Sequence, residues 1–310
     1  MVDLRLLRPA HLARRRSHRR RRPVGAVLGA RGSPVGSRRM GQGRPPYAEP
    51  GPAARPDRRS GVAGGVLSSQ PSGEGLLVSP GGAWFAVFGF AAGILVATAT
   101  TAIAASASGY RVGSSRAVPL VVTAADLAGL WVALVGAVVV FSRARGTGRV
   151  VADFGLARIK WWDLPIGAVI GLMCQYGLIP VVYYPLEALD RHLSNQLSGP
   201  ARSYTGSVHS VAALSVLMLL LALGGPFVEE LFFRGLLMRS LVARIGAPWA
   251  ILLSAVLFAL AHFEAAQFVG LAAFGVVLGF LAWATGRLAI SFAAHAAFNA
   301  AAVLAVAHLK

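Results

Sequence analysis

Long apolar runs separated by short charged connectors dominate the last three quarters of the chain, and run length carries the first prediction. Residues 83–107 are uncharged, and a helix of about 20 residues already crosses the hydrocarbon core of a bilayer. Val118 to Phe141 forms a second span, broken only by Asp126. Asp126 lies close enough to the start of that span to reach toward the interface, which is the preferred reading over a buried functional acid. Leu164 to Tyr184 is a third span, and the polar residues 187–207 with Gly199-Pro200 read as an exposed loop. From Val208 the chain is apolar almost to its end. Gly224-Gly225-Pro226 breaks or kinks the first part. A helix then runs from about Phe227 to Arg244, a turn follows at Gly246-Ala247-Pro248, and another helix continues to about His262. Gln267–Thr285 and Leu288–Ala307, divided by Gly286-Arg287, complete the set. The predicted fold is all-α, a polytopic transmembrane helical bundle of about 6–8 spans.

Composition sharpens this picture. Hydrophobic residues make up 55% of the chain and charged residues 14%, with a mean hydropathy of +0.62; soluble domains carry about 25% charged residues. The single cysteine, Cys174, excludes an intramolecular disulfide and a cysteine-based metal cluster. A formal charge of +18 suggests nucleic acid at first, but its distribution argues otherwise. Residues 1–60 hold 16 arginines against three acidic residues, so the excess belongs to a tail and no nucleic-acid partner is expected. Residues 1–80 are rich in Arg, Gly, Pro and Ser without apolar periodicity, and are expected to be disordered. That tail reads as a solvated cytoplasmic segment, with contact to anionic lipid as the functional alternative; Met40 offers an alternative start. Three regions follow: the tail (1–80), N-terminal transmembrane helices and loops (81–200), and a C-terminal transmembrane unit (205–307). The end of the first span, Ala105-Ser106-Ala107, has the small residues of a signal-peptidase site, yet the long stretch before it favours an uncleaved anchor. The positive-inside rule places the tail, the Arg143–Lys160 connector and the Arg234/Arg239/Arg244/Arg287 group in the cytoplasm, if 208–244 is one long kinked crossing. Trp161 and Trp162 suit the interfacial belt. The Ala-, Arg- and Gly-rich composition fits a multi-pass protein of a bacterial cell membrane.

Candidate chemistry lies in the C-terminal unit, where polar side chains on apolar helices are costly. In Glu229-Glu230-Leu-Phe-Phe-Arg234 the second acid and the arginine are spaced i,i+4 and share a helix face. Glu229 is rotated about 100° from them and has no charged partner at helical spacing, which suits a general base acting on water. Phe258-Ala-Leu-Ala-His262 and His295-Ala-Ala-Phe-Asn299 follow on separate helices, the latter again i,i+4. A lone histidine in an apolar helix is more often a packed, hydrogen-bonded residue than a catalyst. Two of them, on separate helices beside a paired glutamate, favour chemistry. Counting outward from a turn near 245–247 puts Glu229 and His262 at matching depths on antiparallel helices, with His295 and Asn299 within one to two turns of them.

These three motifs, EExxxR at 229–234, FxxxH at 258–262 and HxxxN at 295–299, resemble those of the CPBP intramembrane proteases. That family joins the type II CAAX prenyl endopeptidases with Abi and bacteriocin-processing relatives, and the resemblance spans about residues 205–307. It implies an intramembrane endopeptidase acting on a membrane-associated peptide or protein. Glu229 would activate water assisted by His262, His295 and Asn299 would stabilise the oxyanion, and Glu230 and Arg234 would form a structural pair. A Zn²⁺ ion held by two histidines and a glutamate is the alternative. The HExxH spacing is absent, however, and glutamate-activated water needs no metal. A non-enzymatic protein with a buried proton or ion relay, or a helix-binding scaffold, is the rival reading. A relay would tolerate aspartate at Glu229, whereas a base positioned on a water would not. Gly275 and Gly279 predict close helix approach on the 267–285 segment.

Overall fold

The computed structural model describes residues 81–307 except 115, 191 and 207; the expected disordered tail, 1–80, lies outside the described residues. What is described is helical: α1 (Gly82–Ser108), α2 (Leu120–Arg145), the short α3 (Val150–Asp153), α4 (Asp163–Leu189), α5 (Leu193–Thr205), α6 (Val211–Ile245), α7 (Ala247–Leu260), α8 (Phe268–Thr285) and α9 (Leu288–Ala307). Six of these helices are long and apolar enough to cross a membrane, and α7 is a shorter apolar helix. The protein is thus an all-α, multi-pass membrane bundle.

Two expectations need correction. Residues 187–207 are not a loop: α5 occupies Leu193–Thr205 with Pro200 inside it. Tertiary contacts override the Gly199-Pro200 signal, since Gln267 Nε2 donates to the Leu197 carbonyl at 2.9 Å and α5 packs on α9. Nor does Gly224-Gly225-Pro226 break its helix. The chain runs on as α6, accommodating the proline by widening to π-helix at Leu219–Gly224, and it widens again at Glu230–Met238. Such widened turns are how a helix absorbs an obstructing residue, and they recur at functional sites.

Asp126 is also better satisfied than a side chain merely reaching for the interface, because Thr101 Oγ1 donates to its Oδ1 at 2.9 Å.

One end of the bundle can be read from its contacts. Gly82, at the start of α1, abuts Phe141 and Ser240. Phe141 stacks obliquely on Phe154, and the Asp153 carboxylate receives Ser142 Oγ and the Thr147 N–H and hydroxyl. Arg287 donates to Asp163 from Nη2 at 2.7 Å and from Nε at 2.8 Å. Segments 142–163, 239–246 and 286–287, all at this end, hold eight basic residues against two acidic ones. Burial pushes the Asp153 carboxyl up, but the hydrogen bonds from Ser142 and Thr147 outweigh it and hold it below the ordinary value.

Glycines set the helix spacing. A Cβ on Gly275 would sit 3.0 Å from Ala255 Cα, and one on Gly279 would sit 3.1 Å from Ile251 Cγ2, so this pair seats α8 on α7. A second pair, Gly167 and Gly171, faces the α9 backbone: an added Cβ would come within 2.4 Å of the Ile290 oxygen and 2.0 Å of the Ala294 oxygen. That contact fixes α9 immediately beside His295. Its GxxxG spacing is visible in the sequence, but no polar residue marks it.

Candidate active site

The site is assembled on α6. Between the two widened stretches, one ordinary turn, Gly225–Glu229, carries Pro226 at its start and Glu229 at its end. Glu230 follows at once, so the two carboxylates project in different directions. Glu230 is 1% exposed and Glu229 19%. Adjacent residues of one chemical type therefore occupy unlike environments.

Glu230 is fully engaged on one oxygen. Its Oε1 lies 3.0 Å from Arg234 Nη1 and 3.0 Å from His295 Nδ1. Arg234 is itself fully buried, donates from Nη2 to the Gly275 carbonyl at 3.3 Å, and lays its guanidinium on Phe258, 4.4 Å from the ring centroid. The i,i+4 pair expected from the sequence is therefore present, and the structure adds the aromatic ring and carbonyl that hold the arginine.

His295 sits between the two acids. A carboxylate oxygen only accepts, so Nδ1 carries the hydrogen donated to Glu230. That leaves Nε2 turned toward Glu229 Oε2 at 3.7 Å, which is beyond a hydrogen bond. Glu229 Oε2 is buried and has no hydrogen-bond partner. Such an oxygen is an acceptor without a donor, placed where a water or a substrate N–H would satisfy it.

His262 enters from beyond the end of α7, which stops at Leu260, two residues short of the expected boundary. Its Nδ1 donates to the Phe258 carbonyl at 2.8 Å, which leaves Nε2 as the nitrogen with a free lone pair. The Phe258 ring links the two histidines, with centroids 4.7 Å from His262 and 5.5 Å from His295. Nearer the turn, Phe258 meets Phe233 of α6 at 5.4 Å.

Asn299 shares the α9 face of His295 and also reaches α6, where Nδ2 donates to the Leu221 carbonyl at 2.9 Å. This bond has a local cause. In the widened helix a carbonyl takes its hydrogen bond from five residues on, as Leu220 does from Gly225. For Leu221 that residue is Pro226, which has no N–H, and the Asn299 carboxamide supplies the missing donor. Nothing in the sequence pattern signals that partner, because the widening of the helix is a tertiary accommodation.

The structure thus brings His295 of α9 against Glu229 and Glu230, with Arg234 on Glu230; Asn299 meets α6 earlier, at Leu221, and His262 is joined through Phe258. Among the described residues no three His, Cys, Asp or Glu side chains converge as a cation site. The donor set for a three-ligand Zn²⁺ is not formed among the described residues.

Residues 211–301 match the family described as Rce1-like, Type II CAAX prenyl endopeptidase Rce1-like. The match covers all six candidate residues and agrees with the family resemblance carried by their motifs. Comparison with curated proteins and with solved structures gives no match. The matched family is one of proteases, and the likeness accords with a peptidase embedded in the membrane.

Proposed function

We propose that this protein is an intramembrane endopeptidase in which Glu229 activates water for attack on a peptide bond of a membrane-associated substrate. The observation that carries the reading is the orphaned Glu229 Oε2, buried beside His295 Nε2 on an Rce1-like segment. In the reaction Glu229 takes a proton as the water oxygen bonds to the carbonyl carbon, forming a tetrahedral oxyanion. The same carboxyl then passes its proton to the amide nitrogen as the C–N bond breaks, releasing an amine and a carboxylate. His262 orients the water through Nε2. His295 and the second amide hydrogen of Asn299 face the oxyanion. Glu230 and Arg234 position His295 rather than touch substrate.

The positive-inside rule supports a cytoplasmic side at the basic end of the bundle. On this reading 205–307 is the catalytic unit, and the N-terminal transmembrane helices and loops, 81–200, support it. A membrane-associated peptide or leader is the substrate class in keeping with a bacterial source. The His295 contact with both carboxylates also suits a proton relay, which is the competing reading.

Cleavage of quenched fluorescent peptides, prenylated and unprenylated, by purified wild type, Glu229→Ala and Glu229→Asp decides between them. A base on water predicts a loss of about 10²–10⁴ in kcat for Glu229→Ala, a comparable loss for Glu229→Asp, and indifference to a strong chelator. Full cellular function of Glu229→Asp, with no cleavage by wild type, would favour the relay.

A further inference from the structure

Ten residues beyond Glu229 on α6, at the basic end, stands an arginine that the proposed chemistry does not use. Arg239 is 6% exposed, and neither Nη1 nor Nη2 has a hydrogen-bond partner. A buried guanidinium without an acceptor carries the full desolvation cost of its charge. The connector that packs on this part of α6, through Phe154 against Gly235, carries another cation, Arg158, and so brings no compensating charge. The two acids at this end are already committed. Asp163 accepts from both Arg287 nitrogens, and Asp153 from Ser142 and Thr147. Among the described residues, the Arg239 guanidinium therefore lacks a counter-anion on its terminal nitrogens.

Its location indicates what the anion is. Ser240, the next residue, touches Gly82 where the first apolar span begins, so Arg239 lies at the boundary between the apolar helices and the charged connectors. One turn earlier, on the same face, Gly235 packs against Phe154 and Leu288, so the guanidinium looks toward the connector that carries Arg158. Lys160 over the Trp162 ring, 5.1 Å from its centroid, marks the same connector as interfacial. This is the depth of phospholipid phosphates. A planar guanidinium fork with both terminal nitrogens unused matches phosphate oxygens.

We propose that Arg239 and Arg158 form a binding site for a phosphate anion, presented by an anionic phospholipid headgroup at this face of the membrane. Occupancy relieves the buried charge and ties α6 to the 154–162 connector.

The test uses the full chain in nanodiscs of phosphatidylcholine alone or mixed with phosphatidylglycerol, and in detergent with or without inorganic phosphate. Thermal unfolding and retained lipid by native mass spectrometry are read for wild type, Arg239→Leu and Arg158→Ala. Wild type should unfold at higher temperature with phosphatidylglycerol and retain it. Arg158→Ala, at an exposed position that leaves the core intact, should weaken retention about tenfold. Arg239→Leu should abolish the phosphatidylglycerol-dependent rise and should exceed wild type in phosphatidylcholine, because an apolar side chain removes an unpaired buried charge. A rise of the same size with inorganic phosphate, lost in the same variants, would support the phosphate site with a free anion as its source. The proposal is overturned if neither ligand raises wild-type stability, or if Arg158→Ala responds as wild type does.

Discussion

The α1–α2 hairpin and α6 are both apolar helices of membrane-crossing length, yet they are built on opposite principles. In the hairpin the backbone is regular α-helix throughout, and small residues bring the two rods together: Gly89 faces Ala137, and Gly129 faces Ala97. Its polar side chains in the apolar layer are modest, such as Thr98 folded back on the Ile94 carbonyl and Thr101 paired with Asp126. In α6 the backbone twice abandons α-geometry, and a carboxylate and a guanidinium are wholly enclosed. Regular packing makes a wall; irregular backbone with enclosed charge makes a place where groups can be held in costly arrangements. The difference teaches that α6 depends on cross-helix partners for its own integrity, whereas the hairpin depends mainly on shape.

The sharpest way to break that contrast is at Arg234. Arg234→Ala leaves the Glu230 carboxylate buried without its cation, so it should cost about 3–5 kcal/mol, read as a large fall in melting temperature. Replacing Glu230 and Arg234 together by apolar residues of similar size should restore most of that stability while leaving cleavage abolished, because His295 loses the acceptor of its Nδ1–H. Equal loss in the single and double variants would mean that the pair is not what organises α6.

Just beyond the hairpin, outside the apolar layer, the buried acid Asp153 of α3 closes the α2–α3 connection. Asp153→Asn should cost about 2 kcal/mol near neutral pH, the scale of hydrogen bonds to a charged acceptor. The sign follows from its carboxyl being held below the ordinary 3.8. Its contribution is complete above that value and is lost as pH falls through the depressed folded value. Wild type and Asp153→Asn should therefore converge in stability only in strong acid. A gap that stayed constant from neutral pH to strong acid would assign the effect to packing.

How much of this was legible beforehand depends on the length scale of each cause. The spans were legible because they follow from uninterrupted apolar runs, and the Glu230–Arg234 pair because helical spacing alone brings it together. The placement of His295 on both carboxylates was not, since it rests on the seating of α4 against α9 through Gly167 and Gly171. Helix α5 was missed for a related reason: Gly199-Pro200 is a sound turn signal until contacts with α9 and Gln267 outweigh it. The widened turns of α6 were invisible because the sequence announced a proline obstruction without saying how the helix would absorb it.

Glycine substitutions sharpen the comparison further. Gly129→Ala in the hairpin and Gly171→Ala under α9 both force a Cβ into occupied space, and each should cost about 2 kcal/mol by overpacking. Their effects on cleavage should differ. Gly129→Ala should leave kcat near wild type at temperatures where the protein is folded. Gly171→Ala pushes on the Ala294 carbonyl, one residue from His295, and should lower kcat about tenfold or more, since small misplacements of catalytic groups are costly. Matching kcat values would show that hairpin and site are mechanically equivalent.

The smallest effect tests the most local claim, that Asn299 completes a helix broken by Pro226. Asn299→Ala should cost about 1 kcal/mol, the net value of one hydrogen bond. Pro226→Ala restores an N–H five residues after Leu221, so in that background the same Asn299→Ala change should cost much less. The double-mutant cycle should therefore show a coupling of about 1 kcal/mol. The cycle also separates two roles for one side chain. If Asn299 only repairs the helix, cleavage should recover in the double variant along with stability. If its second amide hydrogen faces the oxyanion, stability should recover while kcat remains low. The first outcome would place the whole transition-state role on His295, and the second would show one carboxamide serving the backbone with one hydrogen and the reaction with the other.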